Sequence, residues 1–208
     1  MKNNTIVRDA AILFVITLIA GIALGAVHAI TLEPIRQAQI AAANATYAEV
    51  FPEAVSFEET DALNAAIETA NAEVDGWGLG NKAGKLHIDE AMVAKDASGQ
   101  DVGYMINATS GEGYGGDVKV SVGITSEGKM TGIGFLKISE TPGLGMRAKN
   151  PEFRDQFNGK DATGQLEAIK GGSADEHGFN TISGASFTSG AVGKAVNAAI
   201  KFVNDYAK

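Results

Sequence analysis

The sequence predicts an α+β protein in which one N-terminal transmembrane helix precedes a single domain, built from a twisted antiparallel sheet packed by helices. Three observations predict this fold class. Residues 10–30 carry no charged side chain, and a helix needs ~20 apolar residues to cross a bilayer. Apolar residues alternate with polar or small ones over 118–125, the period of a strand with one buried face. Val192, Val196 and Ile200 recur every fourth position, as in a helix packed on one side.

We expect the uncharged segment to be retained as an anchor. It exceeds the apolar region of a signal peptide, usually ~7–15 residues, although Val27-His28-Ala29 has the small residues of a cleavage site. Lys2 and Arg8 precede it, whereas the whole chain has 25 acidic and 17 basic residues. Because basic flanks stay inside, the chain is predicted to be a single-pass protein of the cell membrane, with its domain on the extracytoplasmic side.

One face of the anchor carries small residues. Thr17, Gly21, Gly25 and Ala29 are spaced every four positions, and small side chains let a second helix approach closely. Such a stripe is also found in membrane helices simply because glycine and alanine are common there. We expect other membrane subunits as partners.

The segment after the anchor is predicted to be a helical stalk followed by an irregular insertion. Pro34 suits the first turn of a new helix, which would continue to Pro52. A short helix is expected over 63–72, and 75–89 shows no clear period. The predicted organisation is therefore a cytoplasmic tip and anchor over residues 1–32, a stalk and insertion over 33–89, and the main domain over 90–208.

The main domain is predicted to contain about four strands, because alternating segments are separated by turn residues. The predicted strands cover 91–95, 102–108, 118–125 and 130–138, and the predicted helices cover 151–157 and 189–206.

Composition excludes several functions. The chain has no cysteine, so disulfides, thiolate metal sites, iron–sulfur clusters and a cysteine nucleophile are ruled out. A net charge of −8 argues against nucleic acid as a partner, because phosphate binding needs a basic surface. His87 and His177 lie in no recognisable triad or metal-ligand spacing.

The most informative segment is 183–189, where four hydroxyl side chains and a glycine open an apolar-striped helix. The free N–H groups and positive dipole end of a helix start can hold a phosphate, although Ser and Thr are also ordinary helix caps. The segment resembles the Ser-Gly-Ala-Thr motif of the FMN-binding domain family, which includes the G subunit of the Rnf complex and the C subunit of the sodium-translocating NADH:quinone reductase.

Two further segments carry the same resemblance. Residues 140–145 read Glu-Thr-Pro-Gly-Leu-Gly, and Phe153, Gln156 and Phe157 follow. Residues 113–116 read Gly-Tyr-Gly-Gly before a strand. A Pro-Gly turn alone would explain two of the six residues over 140–145. The resemblance covers about residues 90–205 and the anchor, whereas 46–89 match nothing recognisable.

The resemblance implies FMN bound covalently through its phosphate. The acceptor would be Ser186, at the motif's fourth position, where the family has Thr, and Thr188 is the alternative. A dedicated flavin transferase would transfer FMN from FAD, so that the chain is modified as a phosphoprotein. The other implied flavin-binding residues are Ser183, Gly184, Ala185, Ser189, Tyr114, Glu140, Thr141, Gly143, Leu144 and Gly145.

The resemblance further implies a redox subunit of an Rnf-type translocase, which relays electrons between ferredoxin and NAD⁺ while sodium ions or protons cross the membrane. It would have no turnover alone. The alternatives are the C subunit of the quinone reductase, an anchored flavin protein of extracellular electron transfer, and a cofactor-free membrane adaptor.

Overall fold

The computed structural model describes residues 2–172 and 174–207. The chain divides into two compact units, Met1–Ala43 and Asn44–Lys208. Helix α1 runs over Lys2–Val50, and from Ile6 onward it is long and apolar enough to cross a membrane, with a mean hydropathy of 2.7 over its most apolar stretch. The side chains along its apolar run are exposed.

Pro34 does not begin a new helix as predicted, because α1 continues through it. A proline inside a helix removes one N–H donor and crowds the carbonyl four residues earlier. Only one backbone hydrogen bond is lost, and the flanking sequence on both sides consists largely of good helix formers. The helix therefore extends to Val50.

The described part of the chain contains a five-stranded antiparallel sheet in which every strand pairs with its neighbour in sequence. The strands are β1 (Ser56–Glu58), β2 (Leu86–Lys95), β3 (Asp101–Ser110), β4 (Val118–Thr125) and β5 (Met130–Lys137). The predicted antiparallel sheet is confirmed. Strand β1 was not predicted, and β2 begins within the segment expected to be irregular, which also forms a 3₁₀ turn over Val74–Trp77.

Helices and short strands complete the unit. Helix α2 (Asp61–Glu73) begins where the Thr60 side chain accepts a hydrogen bond from the Leu63 N–H at 3.2 Å. The later elements are a 3₁₀ turn (Gly145–Lys149), α3 (Pro151–Arg154), a second 3₁₀ turn (Asp155–Phe157), β6 (Glu167–Ile169), β7 (Gly178–Asn180), α4 (Ser186–Phe202) and a π-helical turn (Val203–Ala207). Strands β6 and β7 pair in parallel.

Helix α4 covers one face of the sheet. It packs on β2, β3 and β4, and the alternate residues Val118, Val120 and Val122 are fully buried in the same core as its apolar side. Each buried Val contributes about 1.5–3 kcal/mol relative to an exposed one. The sheet thus fixes the position of α4 and of the residues at its start.

The opposite face of the sheet is also covered, whereas the sequence predicted one buried face for β4. The end of α1 lies there, and glycines on the strands make room for it. A Cβ at Gly134 would fall on Thr46 Cγ2 and 2.8 Å from Val50 Cγ2. A Cβ at Gly123 would lie 3.1 Å from Val50 Cγ1. The glycines therefore form a seat for residues 46–51.

A buried polar network joins this face to the end of α1. The Asn107 amide donates to the Tyr47 hydroxyl at 2.6 Å and to Glu90 Oε2 at 2.5 Å, and it accepts from the Ser121 hydroxyl at 2.6 Å. Because buried polar groups are costly without partners, these side chains specify one arrangement. The sequence-based division assigns residues 33–89 to a stalk and insertion. In the structure, β1, α2 and the end of α1 belong to the same compact unit, 44–208, as the rest of the sheet.

Candidate functional site

Three segments that are distant in sequence meet around one cavity of about 450 Å³. They are the turn after β3, the loop after β5 and the start of α4. The lining residues are Tyr114, Glu140, Thr141, Leu144, Gly145, Gly184, Ala185, Ser186, Phe187 and Thr188. The structure thus brings together nine of the predicted flavin-binding residues.

The first turn of α4 forms one wall. Ala185 is the residue before the helix, and Gly184, with φ +78°, provides the left-handed turn that leads into it. The N–H groups at the start of a helix have no carbonyl partner within that helix. This wall therefore presents hydrogen-bond donors and the positive end of the helix dipole, which suits an anion.

Ser189 has an internal role. It is fully buried, its hydroxyl accepts the Ile182 N–H at 2.9 Å, and it donates to the Ala185 carbonyl at 3.0 Å. The helix was predicted to begin at Ser189 but begins at Ser186. Ser189 thus fixes the chain's entry into the helix from within its first turn, and it does not line the cavity.

The two candidate acceptor hydroxyls differ in accessibility. Ser186 is exposed at the first position of α4, whereas Thr188 is 1% exposed. A Cβ on Gly145 would lie 2.5 Å from Thr188 Oγ1, so the loop after β5 is packed closely over Thr188. Of these two hydroxyl residues, Ser186 is the exposed one.

The loop over 140–145 folds back on itself. Thr141 O accepts hydrogen bonds from the Leu144 N–H at 3.1 Å and the Met146 N–H at 3.3 Å. Gly143 has φ +77°, which the turn requires and which glycine adopts readily. Gly143 shapes the loop but does not line the cavity.

The rim of the cavity is apolar and exposed. Tyr114 is 78% exposed, Phe187 74% and Leu144 45%. Within the described residues from 44 onward, Val55 is the remaining exposed large apolar side chain. Exposed apolar groups concentrated at one place indicate a binding surface. Sequence reasoning missed Phe187, although a large aromatic residue in the first turn of a helix beside polar residues was a usable signal.

Glu140 lies in the wall with an unsatisfied atom. It is 8% exposed, and its Oε1 has no hydrogen-bond partner among the described residues. Buried carboxyl groups ordinarily have partners. Glu140 thus places a buried carboxyl oxygen without a described partner beside the cavity, an uncommon arrangement.

Ser183 lines a second cavity, of about 430 Å³. Its lining is mostly polar: Arg147, Glu152, Phe153, Gln156, Asn180, Thr181, Ile182 and Ser183. Gln156 Oε1 accepts a hydrogen bond from the Asn180 N–H at 2.7 Å. Gln156, one of the residues on which the family resemblance is based, therefore helps to hold β7 in place. Ser183 is thus separated from the other hydroxyls of its segment.

Comparison with known proteins agrees with this geometry. Residues 113–201 match the FMN-binding domain family. Among curated proteins, the chain is 33% identical over 198 residues, covering 95% of this chain and 91% of the relative, to the G subunit of the Na⁺-translocating ferredoxin:NAD⁺ oxidoreductase complex of Acetobacterium woodii. It is 32% identical over 126 residues, 61% of this chain and 66% of the relative, to the G subunit of the proton-translocating complex of Clostridium ljungdahlii.

Among solved structures, the crystal structure of Shewanella oneidensis NqrC is similar with a TM-score of 0.48 and 20% identity, covering 56% of this chain and 60% of that one. The extent and identity of the match to the Acetobacterium woodii protein decide the family. The chain belongs to the family of G subunits of ion-translocating ferredoxin:NAD⁺ oxidoreductase complexes.

Proposed function

We propose that this chain is the membrane-anchored, covalently flavinylated subunit of an Rnf-type complex, which relays electrons between ferredoxin and NAD⁺ coupled to sodium or proton translocation. One observation carries the proposal: the exposed Ser186 hydroxyl begins a helix at the wall of a cavity of about 450 Å³ with an apolar rim. Membership of the G-subunit family and the match to the FMN-binding domain family support it.

The residues around the cavity fit FMN. The first turn of α4 offers unpaired N–H groups to a phosphate. Tyr114, Leu144 and Phe187 offer apolar and aromatic surface to a flat ring. Glu140 and Thr141 add polar side chains to the wall of the same cavity. Bound FMN would supply the electron-transfer chemistry, and the protein would orient and tune it.

Covalent attachment requires a reactive hydroxyl that the flavin transferase can reach. In the proposed reaction, Ser186 Oγ forms a bond to the flavin-side phosphorus of FAD while the pyrophosphate bond breaks. AMP leaves, and the hydroxyl proton passes to a base of the transferase. Ser186 is exposed, whereas Thr188 lies under the loop after β5, which favours Ser186 as the acceptor.

The proposed organisation assigns residues 1–32 to the cytoplasmic tip and anchor, 33–89 to the stalk and insertion, and 90–208 to the flavin-binding part. The flavin domain is proposed to lie on the extracytoplasmic side. Other subunits of the complex are the proposed membrane partners. Gly21 and Gly25, which have no neighbouring atoms within 4 Å of a Cβ position, leave that face of α1 open to another helix.

The test is mass spectrometry of the full chain after co-expression with a flavin transferase. We expect one FMN per chain, carried on the tryptic peptide at Ser186, and its loss in Ser186→Ala. Thr188→Ala should keep the modification at reduced occupancy. Ser183→Ala is the matched control and should be fully modified, because its side chain faces the second cavity. FMN on Thr188 in the wild-type protein would contradict the assignment of Ser186 as the acceptor. An unmodified chain would contradict the proposed flavin function.

A further inference from the structure

Helix α4 exposes side chains at its first two positions. Ser186 and Phe187 are exposed, whereas every later residue of the helix is buried or half-buried. The helix packs on β2, β3 and β4, and its apolar residues belong to the core. Phe187 is nevertheless 74% exposed. A large apolar side chain left in solvent here, beside the other exposed apolar residues of the rim, indicates a contact that the folded chain alone does not supply.

Phe187 differs from the other exposed residues of the rim. Tyr114 has a hydroxyl that can bond to water. Leu144 lies against the start of α4, because a Cβ on Gly184 would be 3.4 Å from Leu144 Cδ2. Phe187 has no polar atom, and none of the ring pairs among the described residues includes it. Its ring is therefore available to a flat aromatic ligand.

The proposed attachment point brings such a ligand close to Phe187. Phe187 follows Ser186 directly, and both line the same cavity of about 450 Å³. A phosphodiester on Ser186 fixes the phosphate end of FMN, but the ribityl chain between the phosphate and the ring contains single bonds that rotate. The tether alone therefore leaves the orientation of the isoalloxazine ring open, and a contact with the ring is needed to set it.

We propose that Phe187 stacks on the isoalloxazine ring and holds the tethered flavin in one orientation. The proposal rests on the proposed function, since it takes the ligand of the cavity to be FMN attached at Ser186. Aromatic rings pair favourably when they are stacked with an offset, and the flavin would cover apolar surface that Phe187 exposes to water. The buried hydrogen bonds of Ser189 fix the first turn of α4, so the backbone of Phe187 is a firm support. An oriented ring keeps its reactive atoms in one position relative to the redox partner.

The first test adds one hydroxyl to the ring at position 187. A tyrosine stacked on a photoexcited flavin quenches its fluorescence by donating an electron, whereas phenylalanine does not. All proteins are flavinylated full chains that carry Tyr114→Phe, so that no native tyrosine of the cavity lining contributes. We expect Phe187→Tyr to lose most of the flavin fluorescence. Val55→Tyr, at an exposed apolar residue just before β1, is the matched control and should retain it.

A second measurement tests whether Phe187 holds the ring. Phe187→Ala should keep the flavin, as shown by intact mass, but should lower the anisotropy of its fluorescence, because the ring then moves independently on the ribityl chain. Val55→Ala should keep the wild-type anisotropy.

Three outcomes would overturn the proposal. They are full fluorescence in Phe187→Tyr, wild-type anisotropy in Phe187→Ala, and failure of Phe187→Ala to be flavinylated, which would assign the side chain to the transferase. If intact mass shows no flavin on the wild-type chain, the proposed function fails instead, so the two failures are distinguishable.

Discussion

At the scale of single residues, Leu144 tests whether the loop after β5 touches the flavin ring. Leu144→Asp puts an anion at the rim of the cavity, where Leu144 is 45% exposed. We expect covalent attachment to persist and the flavin potential to fall by on the order of 40 mV, equivalent to about 1 kcal/mol for one electron at a partly solvated site. Leu144→Asn is the isosteric neutral control, and a redox titration measures both. If Leu144→Asp keeps the wild-type flavin potential, the loop after β5 does not lie near the flavin ring.

Sequence motifs predicted most of the residues that line the cavity, but they could not indicate which of the hydroxyl side chains is exposed. Ser186 and Thr188 are chemically alike, and their difference in exposure depends on how the loop after β5 packs over α4. The internal hydrogen bonds of Ser189 arise from the turn before the helix, which no local period indicates. The orphaned oxygen of Glu140 depends on contacts between segments distant in sequence.

At the scale of elements, the glycine seat for the end of α1 can be tested by filling it. Gly134→Ala places a methyl group onto Thr46 and Val50, and overpacking of this kind costs about 1–3 kcal/mol. Gly190→Ala is the matched control, because a Cβ there meets no atom within 4 Å and alanine favours the helix interior by about 0.5–1 kcal/mol. Chemical denaturation of the full chain in detergent measures both. Equal stability of the two variants would contradict a close-packed seat.

An ion pair ties the turn after β3 to α4. The Lys194 ammonium is 2.6 Å from Glu112 Oε2, and the Asn81 N–H donates to Glu112 Oε1 at 2.6 Å. Burial acts to raise the pKa of Glu112, but these hydrogen bonds outweigh it, and the pKa lies below its usual value of 4.5. The stabilisation is therefore present above pH 4.5 and is lost as the pH falls through the lowered pKa.

We accordingly expect Glu112→Gln to lose about 2 kcal/mol of unfolding free energy at neutral pH. The gap to the wild type should narrow in acid, below pH 4.5. Unfolding curves at several pH values check this, with Glu127→Gln on the exposed hairpin after β4 as the control. A gap that stays constant from neutral to acid pH would contradict the role of the charge.

Long elements were predictable because they repeat their pattern several times. The alternation in β4 and the four-residue spacing in α4 indicated the right structures. Strands β1, β6 and β7 have three residues each, which is too few to show a period. Their extended conformation is stabilised by pairing with neighbouring strands. The second buried face of the sheet depends on residues 46–51, which are distant in sequence.

At the scale of the whole molecule, the membrane orientation of the chain remains to be tested. The chain has no cysteine, so a single introduced thiol gives an unambiguous signal. We expect Glu127→Cys, on an exposed turn, to react with an impermeant maleimide in intact cells, and Asn4→Cys to react only after lysis. The reverse pattern would place the flavin domain inside. Mature protein beginning at Ile30 would show that the anchor is cleaved.

The order of the strands has a consequence for biogenesis. The strands β1 to β5 pair in the order of synthesis, and contacts between neighbours in sequence form early and quickly. Helix α4 packs on β2, β3 and β4, so it docks once these strands have paired, and it brings Ser186 and the third wall of the cavity with it. The proposed acceptor is therefore in place only after the strands that support α4 have paired, so a transferase that requires the assembled cavity would modify folded molecules and would not modify truncated or partly folded ones.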